Sequence, residues 1–563
     1  MKKTTIAVLV SGLLFISAVK AQTLQDGINY LYEEREQSAK ALFEKLLAVN
    51  PNNIDATYWL GQTYIAMDNV PAARQVYEKA LQASANAPLL IVGMGHVELL
   101  ENKVTDAKQR FEAAITMTHT KKGDDPVILN AIGRANVDAK AGDLAYAIEK
   151  LKAAVDRDPK NADIFLNLGN AYRKARPGEG GGDAYTNYKK AFEVNPNFAI
   201  AYYRIAKLFE TQQNWEIFLE NENQAVAKDP GFAPAYYDLY YYYLGKMDLS
   251  TADDYAKKYI ANTDPDVQND YLRAQTLWAQ KKFDEAIDIS KSIISKAGDQ
   301  TKPRTYKLLA YCFLGKGDTM QAKNYIDEYF TKAKEGEIIP PDYLLKANIY
   351  SGVPGNTEQV VKAFIDASNA DTLLQGKIGM LQRGAELLRK RGERLMEGDL
   401  KEMIYKLKKR PGIRDVFDWG IAKYFGKDYA KADSVFGILS EKYPDSTYGW
   451  QWQARARSAI DTAMDQGLAV TPYQKLLEVA AKDSVRLQKE FLEAAKYLAG
   501  YFNNIVKDKD KALEYTNRIL GVDPTNEDWL NIKKMLEQKA PGSKQTTTPK
   551  NNNTSGSGKT NGN

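Results

Sequence analysis

A Leu-Gly-x2-Tyr pattern, followed by Ala-x3-aromatic-x2-Ala and closed by Asn-Pro or Asp-Pro, recurs along this chain about every 34 residues. The copy that keeps most of the marks runs Phe165, Leu168, Gly169, Tyr172, Ala184, Tyr188, Ala191 and Pro196. A period of that size belongs to stacked pairs of helices, not to one globular core. Each unit is too small to bury its own apolar face and does so only against its neighbours.

The other copies keep the register to different degrees. The first reads Gly27, Tyr30, Ala39, Phe43 and Pro51, and the second Leu60, Gly61, Tyr64, Ala73, Tyr77 and Ala80. The third has Gly95, Ala107, Phe111 and Ala114; the fourth has Ile132, Gly133, Ala147, Leu151, Ala154 and Pro159, with extra residues between its helices. The sixth has Tyr202, Ala206, Phe209, Ala225 and Pro230, and the seventh Tyr236, Leu239, Tyr243 and Ala252. Later come Trp419, Gly420, Ala432, Phe436 and Pro444, then Gly500, Ala512, Ile519 and Pro524. The glycines and alanines let two helices approach closely, and a larger side chain there overpacks the contact. The residue before each proline is pushed out of the α region, which stops the second helix.

These residues resemble the tetratricopeptide repeat (TPR) family. The resemblance implies an all-α, right-handed α-solenoid of about twelve helix-turn-helix units. It also implies a concave groove lined by the first helix of each unit, with a protein or peptide as its partner. Carried onto this sequence, the groove positions are Asn130 and Arg134 in the fourth unit, Asn167, Asn170 and Arg173 in the fifth, and Tyr203, Arg204 and Lys207 in the sixth. Four cations and three amides facing one open trough would suit an acidic segment or a terminal carboxylate. The match to the family's carboxylate clamp is partial, because Asn130 stands where the clamp has lysine. In the seventh unit Tyr237 and Tyr241 fall four apart on the groove side, while Tyr236 and Tyr243 point to the core. Those tyrosines fit a protein interface or a stacked glycan, and equally plain packing between helices.

Lys2 and Lys3, the apolar run Ile6 to Ala18 and the Val19-Lys20-Ala21 site read as a secretory signal over residues 1–21. The run is too short for a membrane span, and no later segment has the length and apolarity of one. The reading is an exported, periplasmic protein, with peripheral association at the outer membrane left open. Cys312 is the one cysteine, on an apolar stretch, so it reads as a buried thiol and the fold has no internal disulfide. The net charge of +5 is carried at the ends, by Lys2, Lys3 and Lys20 and by Lys544, Lys550 and Lys559. Removing those six from the 77 basic residues leaves 71 against 72 acidic ones. Nucleic acid is therefore not an expected partner.

The organisation reads as a regular array over 22–265, fainter helical hairpins over 266–412, recognisable repeats again over 413–539, and a polar tail over 540–563. Arg176-Pro177-Gly178-Glu179-Gly180-Gly181-Gly182 reads as a loop within the fifth unit, a tolerated insertion or a flap. Pro472 to Ala499 suggests longer helices. Between Lys377 and Arg414 stand twelve basic residues against five acids, either a contact for acidic protein or lipid or an outer face of mixed charge.

No arrangement of catalytic or metal-ligating residues stands out. His96 and His119 lack companions at ligand spacing, and there is no nucleophile elbow, phosphate loop or His-Glu-x2-His motif. No cofactor is expected. The chain reads as a non-catalytic scaffold or adaptor. A structural part of an envelope export assembly and, more weakly, a glycan-binding module are the alternatives.

Overall fold

The computed structural model describes residues 22–334 and 336–538. The signal and the polar tail lie outside them. Among the described residues there are twenty-nine α-helices, two short 3-10 helices, one π-helical turn and no strand; Thr120 and Gly123 form a lone bridge. No described helix is long and apolar enough to cross a membrane. The chain divides into two compact units, the first ending at Lys332 and the second beginning at Ala333, a division that the sequence reading did not draw. The first holds nine consecutive helix pairs from Leu24–Tyr32 to Thr319–Lys332. The second holds five pairs and a last single helix, Glu527–Glu537. Fourteen pairs replace the expected twelve, because the consensus fades over 266–412 while the hairpins continue.

Each hairpin begins and ends where local chemistry directs. Asn53, Asn69, Asp143, Asn161 and Asp248 cap helix N-termini by accepting backbone N–H bonds. Asn50, Asp158, Asn195 and Asp229, each before a proline, are the residues at which second helices stop. One feature of the turns was hidden. Glu34, Asp68, Asn102, Gln213, Met247, Lys281 and Lys427 each adopt a left-handed φ between the two helices of a pair. Because these are not glycines, the sequence carries no mark of the conformation.

Packing inside a pair depends on the small residues. Ala39, Ala73, Ala107, Ala147, Ala184 and Ala225 have no solvent exposure. A β-carbon built on Gly95 would lie 2.5 Å from Phe111 Cε1, and one on Gly420 would lie 2.6 Å from Phe436. Gly61 faces Tyr77, Gly133 faces Leu151 and Gly169 faces Tyr188 in the same way. The last copy departs from the rule: nothing lies near Gly500, and the chain there passes into the π-helical turn Phe502–Val506.

Two loop expectations need correction. Gly181 and Gly182 are the first residues of the helix Gly181–Val194, so the insertion shrinks to Arg176–Gly180. Residues 472–499 form two ordinary helices, Val470–Ala481 and Gln488–Tyr501, not longer ones. Cys312 is fully buried and free, and burial pushes its thiol up to about 12.

Gly95→Ala is expected to destabilise the first unit by about 1–3 kcal/mol through overpacking. Combining it with Phe111→Ala, which removes the ring that the new β-carbon meets, should cost less than the sum of the two single changes. Chemical denaturation of the three variants measures it.

Candidate functional site

The first helices of successive pairs in the first unit present their inner faces to a concave cavity of about 570 Å³. Its lining comes from Tyr58 and Trp59 in the second pair, Asn130 and Arg134 in the fourth, and Asp163 in the fifth. Phe198, just before the sixth pair, and Gln25, Asn29 and Tyr32 of the first helix complete it.

Asp163 is the hub. It accepts hydrogen bonds from Asn130 Nδ2 at 2.6 Å, from Asn167 Nδ2 at 3.2 Å, from the Arg134 guanidinium and from the Tyr32 hydroxyl. Asn167 also donates to Asn130 at 2.9 Å. The Arg134 guanidinium lies 4.5 Å from the Trp59 ring centroid. Three of the expected groove residues, Asn130, Arg134 and Asn167, are thus brought together, but all three are buried. The register that selects Asn167 and Asn170 also selects Asp163, whose charge the sequence reading left out.

The expectation of four free cations is corrected for two of them. Arg134 is paired with Asp163, and Lys207 with Asp238 at 2.8 Å and Glu210 at 2.5 Å. The physical reason is that a guanidinium or ammonium withdrawn from water must find a counter-charge. Arg173 is half-buried, and its neighbour Asn170 accepts from the Tyr188 hydroxyl at 2.9 Å. Arg204 lies beside Tyr203, 5.8 Å from the ring centroid, and its buried Nε has no hydrogen-bond partner. Tyr203 stands edge-on to Phe232 at 5.4 Å. Tyr237 and Tyr241 are half-buried and contact each other at 4.8 Å. Arg304 donates to the Tyr237 hydroxyl at 3.4 Å, and its own Nε also lacks a partner.

The trough is also closed from one side by the chain itself. Tyr32 stands edge-on to Phe198, ring centroids 5.5 Å apart. The N-terminus of the helix Glu36–Val49 has no cap of its own. Asp264 supplies one from beyond the seventh pair, accepting from Gln37 N at 2.7 Å, Ser38 N at 3.3 Å and Ser38 Oγ at 2.5 Å.

Among the buried groups, His96 donates from Nδ1 to the Gln62 Oε1 at 3.2 Å; burial and then Arg134 hold it down to about 3, so it stays neutral. Glu222 is fully buried with no partner on either oxygen, and burial keeps its proton on. No cluster of acids, histidines or cysteines among the described residues could hold a metal ion. In the second unit, part of the basic stretch is paired with acids. Lys390 pairs with Glu386 at 2.9 Å, Lys406 with Glu402 at 2.8 Å and Lys408 with Asp415 at 2.6 Å.

Profiles described as tetratricopeptide repeat or TPR repeat match residues 30–90, 135–175 and 417–446. Over those residues the chain carries tetratricopeptide repeats. Among the solved structures similar to it is the C-terminal part of a TPR repeat-containing protein from Cytophaga hutchinsonii. That structure is 26% identical, with 46% of this chain and 98% of its own covered at a TM-score of 0.27. A tetratricopeptide repeat protein from Parabacteroides merdae is 21% identical over 45% of this chain and 96% of its own, TM-score 0.38. Yeast Tom70 is 13% identical over 75% and 98%, TM-score 0.35. No curated protein matches the chain.

Tetratricopeptide repeats bind protein or peptide partners, and the fold supports an interaction scaffold. The first repeat's Glu33 makes that scaffold sensitive to pH. Burial, and then the neighbouring Asp229 carboxylate, raise it from 4.5 to about 7, against the lowering effect of Arg35 at 3.0 Å. The folded state therefore holds this proton more tightly than the unfolded one. Its stabilising contribution is complete below about pH 4.5 and is lost as pH rises through about 7. Docking of residues 24–38 should be firmer at pH 5 than at pH 8, and Glu33→Gln should flatten the difference. Hydrogen exchange of that segment at the two pH values measures it.

Proposed function

We propose that the chain is an exported scaffold of a bacterial periplasm. Its first array holds a partner protein's segment along the inner face, and it has no catalysis of its own. The observation that carries this reading is the composite cavity of about 570 Å³. Its wall is assembled from at least four repeats, with aromatic rings (Tyr32, Tyr58, Trp59, Phe198) set among amides and charges. Rings offer large contact area at little entropic cost, and amides read backbone groups. A wall spread over several repeats suits an extended chain better than a compact metabolite. The charged start, apolar run and small-residue cleavage site of residues 1–21 support export.

A photo-crosslinking residue at Lys160, exposed on the rim of the cavity and outside the first hairpin, should give adducts with an envelope protein in intact cells. The same residue at Lys79, exposed on a second helix, should give none. Adducts from Lys79 alone would reject the inner-face reading. Sequencing the mature N-terminus should give Gln22; retention of Met1 in a cytoplasmic fraction would reject export.

A further inference from the structure

The first repeat touches places that are far away in the chain. Tyr32 meets Asp163 at the start of the fifth pair and Phe198 before the sixth. Glu33 lies against the Asp229–Gly231 turn before the seventh. Gln37 and Ser38 meet Asp264 beyond the seventh. The tip of this hairpin thus steps along four successive inter-repeat turns. These contacts are mostly polar and sit at turn edges. Helix Leu24–Tyr32 has nine residues; Gly27 is the one buried among them, while Leu24, Ile28, Tyr30 and Leu31 are partly buried against Ala39, Phe43 and Leu60. A terminal repeat has a neighbour on one side only, and so short a helix has little stability of its own. Such an element belongs at the low-free-energy end of local opening.

The tip also presents a definite chemistry to the inner face. Tyr32 supplies an aromatic ring and a donated hydroxyl. Two residues on, Glu34 is turned out on a left-handed φ of 57°, within the electrostatic reach of Arg204 and Lys207. Arg204 Nε remains a buried donor without an acceptor.

We propose that the N-terminal hairpin, residues 24–49, is a self-docked latch over the inner face of the first array. The segment that displaces it carries the same signature: a tyrosine followed, two residues on, by a carboxylate. The partner half of this proposal rests on the inner-face reading above; the latch does not. Opening frees the Phe198 edge, the fourth acceptor position on Asp163, and the channel beside Arg204. An incoming tyrosine-and-acid segment fills all three.

Two measurements on the full chain test it. In hydrogen exchange, amides of residues 24–38 should exchange faster than those of the interior helix Pro88–Leu100. Asp264→Ala, which removes a helix cap, should speed them roughly five-fold without affecting 88–100. Exchange of 24–38 no faster than 88–100 would show a fixed staple and overturn the latch. The second measurement locks the hairpin with Ser38→Cys/Asp264→Cys; buried Cys312 leaves the introduced pair to oxidise together. The probe is a labelled peptide of sequence Leu24–Arg35. It should bind Asp264→Ala, fail to bind the oxidised lock, and bind again after reduction. Equal binding to both would overturn the latch. Opening in exchange with no binding of the peptide to any form would overturn the partner chemistry. Opening with failed crosslinks from Lys160 would remove the inner-face function and leave the latch.

Discussion

Everything in the first array follows from how closely a first helix sits on the ring of its second. At Gly95 and Phe111 a single methyl group would fall 2.5 Å from the ring, so the two backbones are as near as their side chains permit. That distance, repeated at Gly61, Gly133 and Gly169, sets a nearly constant geometry for each hairpin. A constant small rotation between neighbours then accumulates into curvature. Gly500 meets no ring, its helix runs into a π-turn, and the second unit ends on an unpaired helix.

Curvature has two consequences that no single repeat contains. It gathers the inner faces of repeats two to six around one cavity, and it carries the later inter-repeat turns back to the first hairpin. Charges that would have been solvated on an open face are then forced together. Arg134 is the clearest case: withdrawn from water, it takes Asp163 as counter-ion and Trp59 as a stacking surface. Removing one member of such a buried pair costs about 3–5 kcal/mol because the other is left uncompensated. The pair thus fixes the spacing of repeats four and five more than it adds net stability.

The sequence made the helical pairs legible through marks that are local. Glycine at a close approach, alanine at a helix contact, and Asn or Asp before proline each act within one hairpin, so one repeat's residues suffice to read them. The same register gave Asn130, Arg134 and Asn167, which meet at Asp163; Arg204, Lys207, Tyr237 and Tyr241, which it also gave, are not among the residues lining that cavity. What escaped was everything that depends on summed rotation over several repeats: the Asp163 hub, the pairing of Lys207 with Asp238, and Asp264 capping a helix 226 residues away. The hairpins between 266 and 412 were faint for a different reason. Their close contacts use other partners. Gly315 meets Phe283 of the preceding pair, and Gly384 meets both Leu400 and Phe364, so spacing alone does not reveal them.

An inner face that has neutralised its own charges selects partners differently from a cationic trough. With Arg134 and Lys207 already paired, long-range attraction to acids is weak, and a partner gains nothing by exchanging one carboxylate for another at those positions. Net gain is available where a buried donor has no acceptor, and among the described arginines of this array Arg35, Arg204 and Arg304 each have such an Nε. An unmade bond at a buried polar atom costs roughly 1–3 kcal/mol, and supplying the acceptor recovers that cost without breaking an existing contact. On the proposed inner-face reading, recognition would depend on placing a carboxylate against particular guanidiniums beside tyrosines, rather than on total negative charge. A scaffold built this way would discriminate by geometry and resist the many acidic chains that a simple basic groove would collect.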